Sequence, residues 1–195
     1  MTSSVELVAV FDEDGARLEG KPRWQVRAEG LWHASATILV RSLDGRRVYV
    51  HKRTDTKDVY PGMYDCWAGG VLADGEDPDD CAERELAEEL GIRGVPLTPS
   101  FRARFVDPPI RYTAHVYETR TDGPFVHQPE EVASGGWMDL DELRVKVRDP
   151  EWAIVPDGRA LFHEWLAREE DEAAPPRGPI DLDDGVVRLA PRRVG

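Results

Sequence analysis

The stretch GGVLADGEDPDDCAERELAEELGI, residues 69–92, contains a helix whose two ends can be recognised. Asp77 is a good N-cap residue, and Pro78 suits the first helical turn. Gly91 is the residue type that most often ends a helix in a left-handed conformation. The pattern therefore predicts a helix over residues 78–90, and four glutamates fall within seven consecutive positions of it.

The glutamates of this helix gather on one side of it. At 100° per residue Glu85, Glu88 and Glu89 share a face, and an apolar stripe lies about 100° away. The stripe consists of Ala82, Leu86 and Leu90. Convergent carboxylates, with backbone carbonyls brought close by Gly69 and Gly70, suit a hard divalent cation such as Mg²⁺. A solvated acidic face is the alternative that the residues alone leave open.

The composition limits the classes of protein and of partner. The chain has 195 residues, of which 41% are hydrophobic and 32% charged, which fits a folded globular domain. Its net charge of −13 argues against nucleic acid and anionic membranes as partners. No apolar run is long enough to span a bilayer, and the first residues do not resemble a secretory signal. Because Cys66 and Cys81 form no CxxC pair, free thiols in a reducing cytoplasm are expected.

The rest of the chain shows patterns typical of strands and of helices. Residues 6–20 predict a strand, a turn and a return strand, and a second hairpin begins with a strand over 35–41. Three further strands are predicted after the glutamate helix. A short helix opens at Asp139, and the last helix covers about residues 156–169. This mixture predicts an α+β domain.

The chain is predicted to divide into a domain over residues 1–170 and a Pro-rich tail over 171–195. The tail is expected to attach loosely, because its composition favours turns over regular structure. An open sheet edge near the N-terminal hairpin also allows a homodimer.

The glutamate helix and the loop before it resemble the Nudix box. That motif is written G-x5-E-x7-R-E-U-x-E-E-x-G-U, where U is a bulky aliphatic residue. Every specified position is filled here, by Gly70, Glu76, Arg84, Glu85, Leu86, Glu88, Glu89, Gly91 and Ile92. Nine specified positions over 23 residues make a chance match very improbable, and the likeness extends over residues 5–167.

The resemblance implies a fold, an activity and a set of site residues. The fold is an α/β/α sandwich around a mixed β-sheet, with the box as a loop–helix–loop metal site. Nudix enzymes hydrolyse a nucleoside diphosphate linked to another moiety, X. By this likeness Glu85, Glu88 and Glu89 bind Mg²⁺ or Mn²⁺ and carry the catalysis, with the Gly70 carbonyl as a further ligand. Arg84 completes the catalytic set by holding the loop and the glutamate side chains through ion pairs.

Residues 5–92 most resemble the branch of the family that includes isopentenyl-diphosphate isomerase and its hydrolase-like relatives, because of the segment VYVHKRTDTKDVYPGMYD, residues 48–65. In isopentenyl-diphosphate isomerase a basic residue, three others and a Lys precede a Trp-Pro-Gly turn and help to bind the diphosphate. Arg53 and Lys57 hold those places here, with exposed strand-end charges as the alternative. The isomerase also needs a Cys before the box glycine and a His after it, where this chain has Gly69 and Val71. Diphosphate hydrolysis is therefore favoured, and an isomerase-like activity stays the alternative.

Two weaker candidates and a third function remain. Glu131, next to Glu130, lies where many Nudix enzymes carry a loop glutamate that acts as general base, although a solvated turn fits equally well. His33 matches a metal-binding His of the isomerase, but without its partner His a structural or pocket role is favoured. The expected substrate is a small-molecule diphosphate that the sequence does not name. A Nudix-fold sensor without turnover would be expected to have a degenerate box, and this box is intact.

Overall fold

The computed structural model describes residues 6–172 and 186–190 of the 195-residue chain. Within them the helices are Arg23–Glu29 (α1), Pro78–Leu90 (α2), Leu140–Lys146 (α3) and Pro156–Glu172 (α4). The strands are Leu7–Val8 (β1), Val10–Phe11 (β2), Lys21–Pro22 (β3), Trp32–Arg41 (β4), Arg47–Arg53 (β5), Tyr64–Asp65 (β6), Trp67–Val71 (β7), Thr98–Asp107 (β8), Ile110–Arg120 (β9), Val132–Asp139 (β10) and Val186–Leu189 (β11). None of the described helices is long and apolar enough to cross a membrane.

Nine of the described strands form one mixed sheet in the order β10-β5-β4-β9-β8-β11, with β2 and β7 also paired to β4 and β6 to β5. β4 is the central strand. It runs parallel to β9 over residues 33–41 and antiparallel to β7 over residues 35–39. The pairing of Ala36 with Gly70 places the glycines at the start of the box directly beside this central strand.

A helix layer covers each face of the sheet, so the predicted α/β/α sandwich is confirmed. On one face, Leu86 and Leu90 of α2 pack with Ile38 of β4. On the other face, α3 and α4 cover the sheet, and Phe162 packs in the same cluster as Phe105 of β8. Both layers are held by apolar burial, which contributes about 25 cal/mol per Å² of area removed from water.

The first predicted hairpin is only partly formed. Phe11 and Arg17 are joined by a β-bridge around a turn in which Gly15 has a φ of 89°. β2 pairs with β4 instead of with a full return strand, and β1 pairs with β3. The pairing with β2 also extends β4 back to Trp32, earlier than predicted. The sequence analysis missed α1, because its N-cap is Pro22, which has no side chain able to cap a helix.

The C-terminal part of the chain departs from the predicted tail. α4 runs to Glu172, past its predicted end and past the predicted domain boundary. Residues 186–189 join the sheet as β11, parallel to residues 102–105 of β8, so this portion is not loosely attached. The rest of the tail prediction, residues 173–185 and 191–195, lies outside the described residues.

Candidate active site

The ends of α2 are those that the sequence predicts. The Asp77 carboxylate accepts the backbone N–H of Asp79 at 3.0 Å, and Pro78 is the first helical residue. Gly91 ends the helix with a φ of 70°, and its N–H donates to the Ala87 carbonyl at 3.1 Å. These caps fix where the helix starts and stops, and therefore which of its residues face the sheet.

Packing against the sheet gives the three glutamates different environments. Glu89 is 5% exposed, and the Glu85 side chain is 13% exposed. The Glu88 side chain is 50% exposed. A solvated acidic face therefore describes Glu88 but neither Glu85 nor Glu89.

Arg84 connects the loop before α2 to two of its glutamates. It donates to both carboxylate oxygens of Glu76, at 2.7 and 2.9 Å. Its other terminal nitrogen donates to Glu85 at 2.6 Å and to Glu88 at 3.2 Å. Glu76 also accepts the backbone N–H of Ala73 at 2.8 Å, and its hydrogen bonds from Arg84 hold its pKa below the usual range. Arg84 thus fixes both the loop and two glutamate side chains.

Two consecutive glycines let β7 approach these carboxylates. The Gly69 N–H donates to Glu89 at 3.0 Å. A Cβ at Gly70 would lie 2.3 Å from a carboxylate oxygen of Glu85, and a Cβ at Gly69 would lie 2.1 Å from the carbonyl oxygen of Ala36. A larger residue at Gly70 would push the Glu85 carboxylate aside, whereas one at Gly69 would displace the backbone of the central strand.

Burial makes the carboxyl of Glu89 a weaker acid than usual. Its pKa is raised to about 7, chiefly by desolvation, although the hydrogen bond from Gly69 acts in the opposite direction. Burial also raises the pKa of Glu85, and the negative charge of Glu85 adds to the shift at Glu89. A nearby cation would relieve this repulsion between two buried carboxylates.

The oxygen donors of the site fit a hard divalent cation. Within the described residues, no three His, Cys, Asp or Glu side chains already converge as a metal cage. Glu85 and Glu88 are turned towards Arg84, and Glu89 towards a backbone N–H. The available donors are nevertheless three carboxylates and the Gly70 carbonyl, the all-oxygen set that Mg²⁺ and Mn²⁺ prefer. The chemistry of this donor set therefore fits such a cation.

Two residues predicted for different roles form an ion pair with each other. The Lys57 ammonium contacts a carboxylate oxygen of Glu131. The loop that carries Glu131 is tied to α2, since the Gln128 N–H donates to the Glu89 carbonyl at 3.1 Å. Burial lowers the pKa of Lys57 to about 8, and the charge of Arg53 acts in the same direction. Both predicted residues thus lie near the C-terminal half of α2.

Arg53 holds the loop that follows β5. Its guanidinium donates to the carbonyl of Tyr60 at 3.2 Å and to that of Val59 at 3.0 Å. These bonds hold Tyr60 in the left-handed region, with a φ of 52°, which is uncommon for a residue other than glycine. Arg53 is therefore more than an exposed charge at a strand end.

A cavity of about 180 Å³ opens beside the box glycines, between β4, β7 and the start of α4. His33 lines it, with its ring centroid 5.7 Å from that of Tyr112, a position compatible with the structural or pocket role expected for it. The sequence analysis missed most of the other polar lining residues, which include Arg23, Arg27, Tyr60, Asp65, Tyr112 and Asp157. The two arginines are four residues apart on α1, a spacing that could have identified them had this helix been recognised. The other residues come from separate elements and share no motif.

Other side chains near the site contribute to packing. Trp67 is buried, and its indole N–H donates to the Gly158 carbonyl of α4 at 2.9 Å. Cys66 and Cys81, in the described part of the chain, are both buried free thiols. Tyr64 is exposed and stacks on Trp152, outside the cavity.

Family models cover most of the chain. Residues 31–158 match the model of the NUDIX domain. Residues 163–189 match a second model, described as a family of unknown function (DUF6191). The first match includes strands β4 to β10, the whole of α2 and the Asp157 end of the cavity.

Individual relatives and solved structures agree with that match. An uncharacterized Nudix hydrolase of Rhodococcus erythropolis, orf19, is 46% identical over 169 residues, 82% of this chain and 91% of that protein. The uncharacterized Nudix hydrolase YfcD of Salmonella typhi is 33% identical over 182 residues, 93% of this chain and 96% of that protein. DR0079 from Deinococcus radiodurans has the same fold, with a TM-score of 0.67 at 20% identity over 84% of this chain and 98% of that one. The chain therefore belongs to the Nudix family and is a hydrolase that acts on phosphorus-containing anhydrides.

Proposed function

We propose that the chain is a metal-dependent hydrolase that cleaves the diphosphate linkage of a nucleoside diphosphate joined to another group, or of a related small molecule. The observation that carries this proposal is the burial of Glu85 and Glu89 against Gly69 and Gly70. Buried carboxylates repel one another, and a divalent cation that binds them together with phosphate oxygens would remove this repulsion. Mg²⁺ is the proposed cofactor, and Mn²⁺ can replace it.

In the proposed site, the cation and the chain would have separate roles. A divalent cation held by Glu85, Glu88 and Glu89 supplies Lewis acidity, since it neutralises diphosphate charge and makes water a better nucleophile at neutral pH. Arg84 orients Glu85 and Glu88 through its ion pairs. The Gly69 N–H orients Glu89.

Lys57 and Glu131 supply a phosphate ligand and a proton acceptor in this proposal. The ammonium of Lys57 forms an ion pair with the Glu131 carboxylate. When a diphosphate oxygen replaces Glu131 as the partner of Lys57, the Glu131 oxygen becomes free to accept a proton from the attacking water. Arg53 ends β5 just before the loop that carries Lys57 and contributes a second positive charge for the diphosphate.

The two alternatives have less support. An isomerase-like reaction needs a cysteine at position 69, where a Cβ would lie 2.1 Å from the Ala36 carbonyl oxygen. A sensor without turnover is not favoured by any specific observation, because every specified position of the box is filled.

The wider setting of the enzyme is part of the proposal. The net charge of −13 supports a small-molecule substrate over nucleic acid or an anionic membrane surface. Two buried free thiols, in the part of the chain that the structure describes, are compatible with a reducing cytoplasm. A homodimer through an open sheet edge stays a prediction from the sequence.

The proposal is tested by turnover of a panel of diphosphates with Mg²⁺, beside the Glu89→Gln variant. The panel contains nucleoside triphosphates, ADP-ribose, NADH, CoA, dinucleoside polyphosphates and prenyl diphosphates. We expect metal-dependent release of phosphate products, and a loss of at least about 100-fold in kcat/KM in Glu89→Gln, because the metal loses a charged ligand. Phosphate and pyrophosphate are measured with and without added phosphatase.

Glu83→Gln is the matched control for this experiment. Glu83 lies on the same helix but is exposed, so the same change in charge should leave kcat/KM within about twofold. Turnover that persists in a chelator, or an equal loss in both variants, would contradict the proposed site. Conversion of isopentenyl diphosphate to its isomer would favour the isomerase-like alternative.

A further inference from the structure

The loop over residues 121–131, which joins β9 to β10, caps the C-terminal end of α2. The Val126 N–H donates to the Leu90 carbonyl at 2.9 Å, and the Gln128 N–H donates to the Glu89 carbonyl at 3.1 Å. Both carbonyls belong to the last turn of α2, where carbonyl groups have no partner within the helix. The loop therefore supplies two of the hydrogen bonds that end the helix carrying the glutamates.

The side chains that alternate with these two N–H groups contact one aromatic residue of β5. The Phe125 ring stacks on that of Tyr49, with 3.8 Å between the ring centroids and 12° between the ring planes. The hydroxyl of Tyr49 and the Nε2 atom of His127 are joined by a hydrogen bond of 2.7 Å. Tyr49 thus holds the loop by a ring contact and a hydrogen bond, while the backbone of the loop holds α2.

Tyr49 is held in place by the elements around it. It is 5% exposed and packs in the same apolar cluster as Leu90 of α2. Its ring lies at 89° to that of Trp137 in β10, with 5.4 Å between the centroids. A Cβ at Gly135 would lie 2.8 Å from the Tyr49 ring and 3.0 Å from Nε2 of His127, so this glycine leaves room for the pair. Because burial raises the pKa of Tyr49, its hydroxyl keeps the proton that it can donate to His127.

The same loop ends at Glu131, the proposed proton acceptor. The Glu131 N–H donates to the Gln128 carbonyl at 3.0 Å, and the Glu131 carbonyl accepts the Thr54 N–H at 3.1 Å. Its carboxylate is ion-paired with Lys57. Only three residues separate Glu131 from His127 along the chain, so a shift of His127 moves the backbone that carries the carboxylate. A displacement of roughly 1 Å can cost a reaction about 100-fold in rate.

We propose that Tyr49 and His127 are positioning residues, whose hydrogen bond fixes the Glu131 carboxylate relative to the carboxylates of α2. Neither residue lines the cavity beside the box glycines, so their effect on the reaction passes through the loop. The inference rests on the proposed function, because it takes Glu131 as the group that accepts a proton from the attacking water.

Steady-state kinetics of hydrogen-bond variants test the inference, with the substrate that the diphosphate panel identifies. Tyr49→Phe and His127→Ala should each lower kcat at least about tenfold and change KM by less than about twofold, because ground-state contacts with the substrate remain. His127→Gln keeps a hydrogen-bonding group near the place of Nε2 and should retain kcat within about threefold of the wild type. The double variant Tyr49→Phe/His127→Ala should lose no more than either single variant, since all three lack the same bond.

A second comparison assigns the effect to Glu131. In a Glu131→Gln background, Tyr49→Phe should lower kcat by less than about twofold, because the group that Tyr49 positions is already absent. Tyr117→Phe is the matched control, since Tyr117 is also buried and its hydroxyl donates to Asp79 at the opposite end of α2. It should leave kcat within about twofold of the wild type, and any cost should appear in urea unfolding instead.

Amide hydrogen exchange, followed by NMR, measures the anchoring of the loop without turnover. The N–H groups of Val126 and Gln128 should exchange at least about tenfold faster in Tyr49→Phe than in the wild type, because the loop leaves the end of α2 more often. In Tyr117→Phe both groups should exchange at the wild-type rate.

Three outcomes would overturn the inference. These are unchanged exchange and kcat in Tyr49→Phe, equal losses of kcat in Tyr49→Phe and Tyr117→Phe, or the same loss from Tyr49→Phe with and without the Glu131 carboxylate. Failure of the proposed function has a different result, in which exchange at Val126 and Gln128 changes as expected but the wild-type protein hydrolyses nothing on the panel. The Tyr49–His127 bond would then anchor the loop without a catalytic role.

Discussion

The two faces of the sheet near β7 bury carboxyl groups in different ways. On the α2 face, a guanidinium group donates two hydrogen bonds to Glu76, and the pKa of Glu76 is lowered. On the α4 face, Asp65 and Asp157 accept hydrogen bonds from uncharged groups, and burial raises the pKa of both. Among these three groups, the carboxylate bound by a guanidinium loses its proton more easily than usual and fixes a loop, whereas the two bound only by uncharged donors hold a proton more tightly.

The largest expected effect comes from replacing Gly69, which lies in β7 between the two faces of the sheet. In Gly69→Ala the new Cβ would lie 2.1 Å from the Ala36 carbonyl oxygen and 3.0 Å from the Thr37 Cα, both in the backbone of the central strand. We expect the free energy of unfolding, measured in urea, to fall by about 3 kcal/mol. Gly136→Ala has open space around its Cβ and should change it by no more than about 0.5 kcal/mol. Equal stability of the two variants would show that β7 can move away from β4.

A second change leaves a carboxyl group on the α2 face without a charged partner, as on the α4 face. Arg84→Met removes the cation and leaves the Glu76 carboxylate, whose side chain is 14% exposed, with one backbone hydrogen bond. We expect urea unfolding to give a free energy lower by about 2 kcal/mol, because a largely buried charge loses its partner.

Lys146→Met provides the control for Arg84→Met. The Lys146–Glu142 pair is 3.8 Å apart and solvated, so its loss should cost no more than about 0.5 kcal/mol. If both variants lose the same free energy, the Arg84–Glu76 pair contributes no more than a surface ion pair, and the contrast between the two faces fails.

A further prediction concerns the pH dependence of stability on the α4 face. The pKa of Asp65 is about 8 in the folded chain because of burial, whereas an Asp in the unfolded chain has a pKa of about 4. The folded protein then binds the proton more tightly, so the free energy of unfolding falls as the pH rises from about 4 to 8. Asp65→Asn can still accept the Trp67 N–H but cannot ionise. We expect its stability to fall less over this interval than the stability of the wild type does.

The free energy of unfolding is measured in urea at on the order of eight pH values between about 4.5 and 8.5, and its slope against pH is compared between variants. Asp141→Asn serves as the control, since the Asp141 side chain is 91% exposed and should leave the slope of the wild type unchanged. Asp157 titrates in the same cavity, so some slope should remain in Asp65→Asn. Identical slopes in all three proteins would mean that Asp65 is not buried in its neutral form.

The parts of the molecule that could be predicted are those fixed by neighbours in sequence. Asp77, Pro78 and Gly91 determine the ends of α2 through contacts within one helical turn. The spacing of Glu85 and Glu89 along that helix determines that both share a face, whichever sheet the helix packs on. The α/β/α fold followed from the resemblance of the same stretch to a known motif.

The parts that could not be predicted depend on contacts between distant segments. Asp65, Tyr112 and Asp157 meet only because β6, β9 and α4 converge on one side of β7, and no local pattern records this. The same holds for Lys57 and Glu131, which were assigned to phosphate binding and to general base catalysis and are paired with each other. The burial of Glu89 compared with Glu88 also depends on the sheet beneath the helix.

The position of β11 has a consequence for how the protein behaves in concentrated solution. Strand β11 lies along β8, which would otherwise end the sheet with a row of unpaired N–H and C=O groups. Such a row is a template on which other chains can polymerise. β11 replaces part of this long edge with an edge strand of only four residues, which offers a shorter template, and we expect a chain shortened before β11 to aggregate more readily.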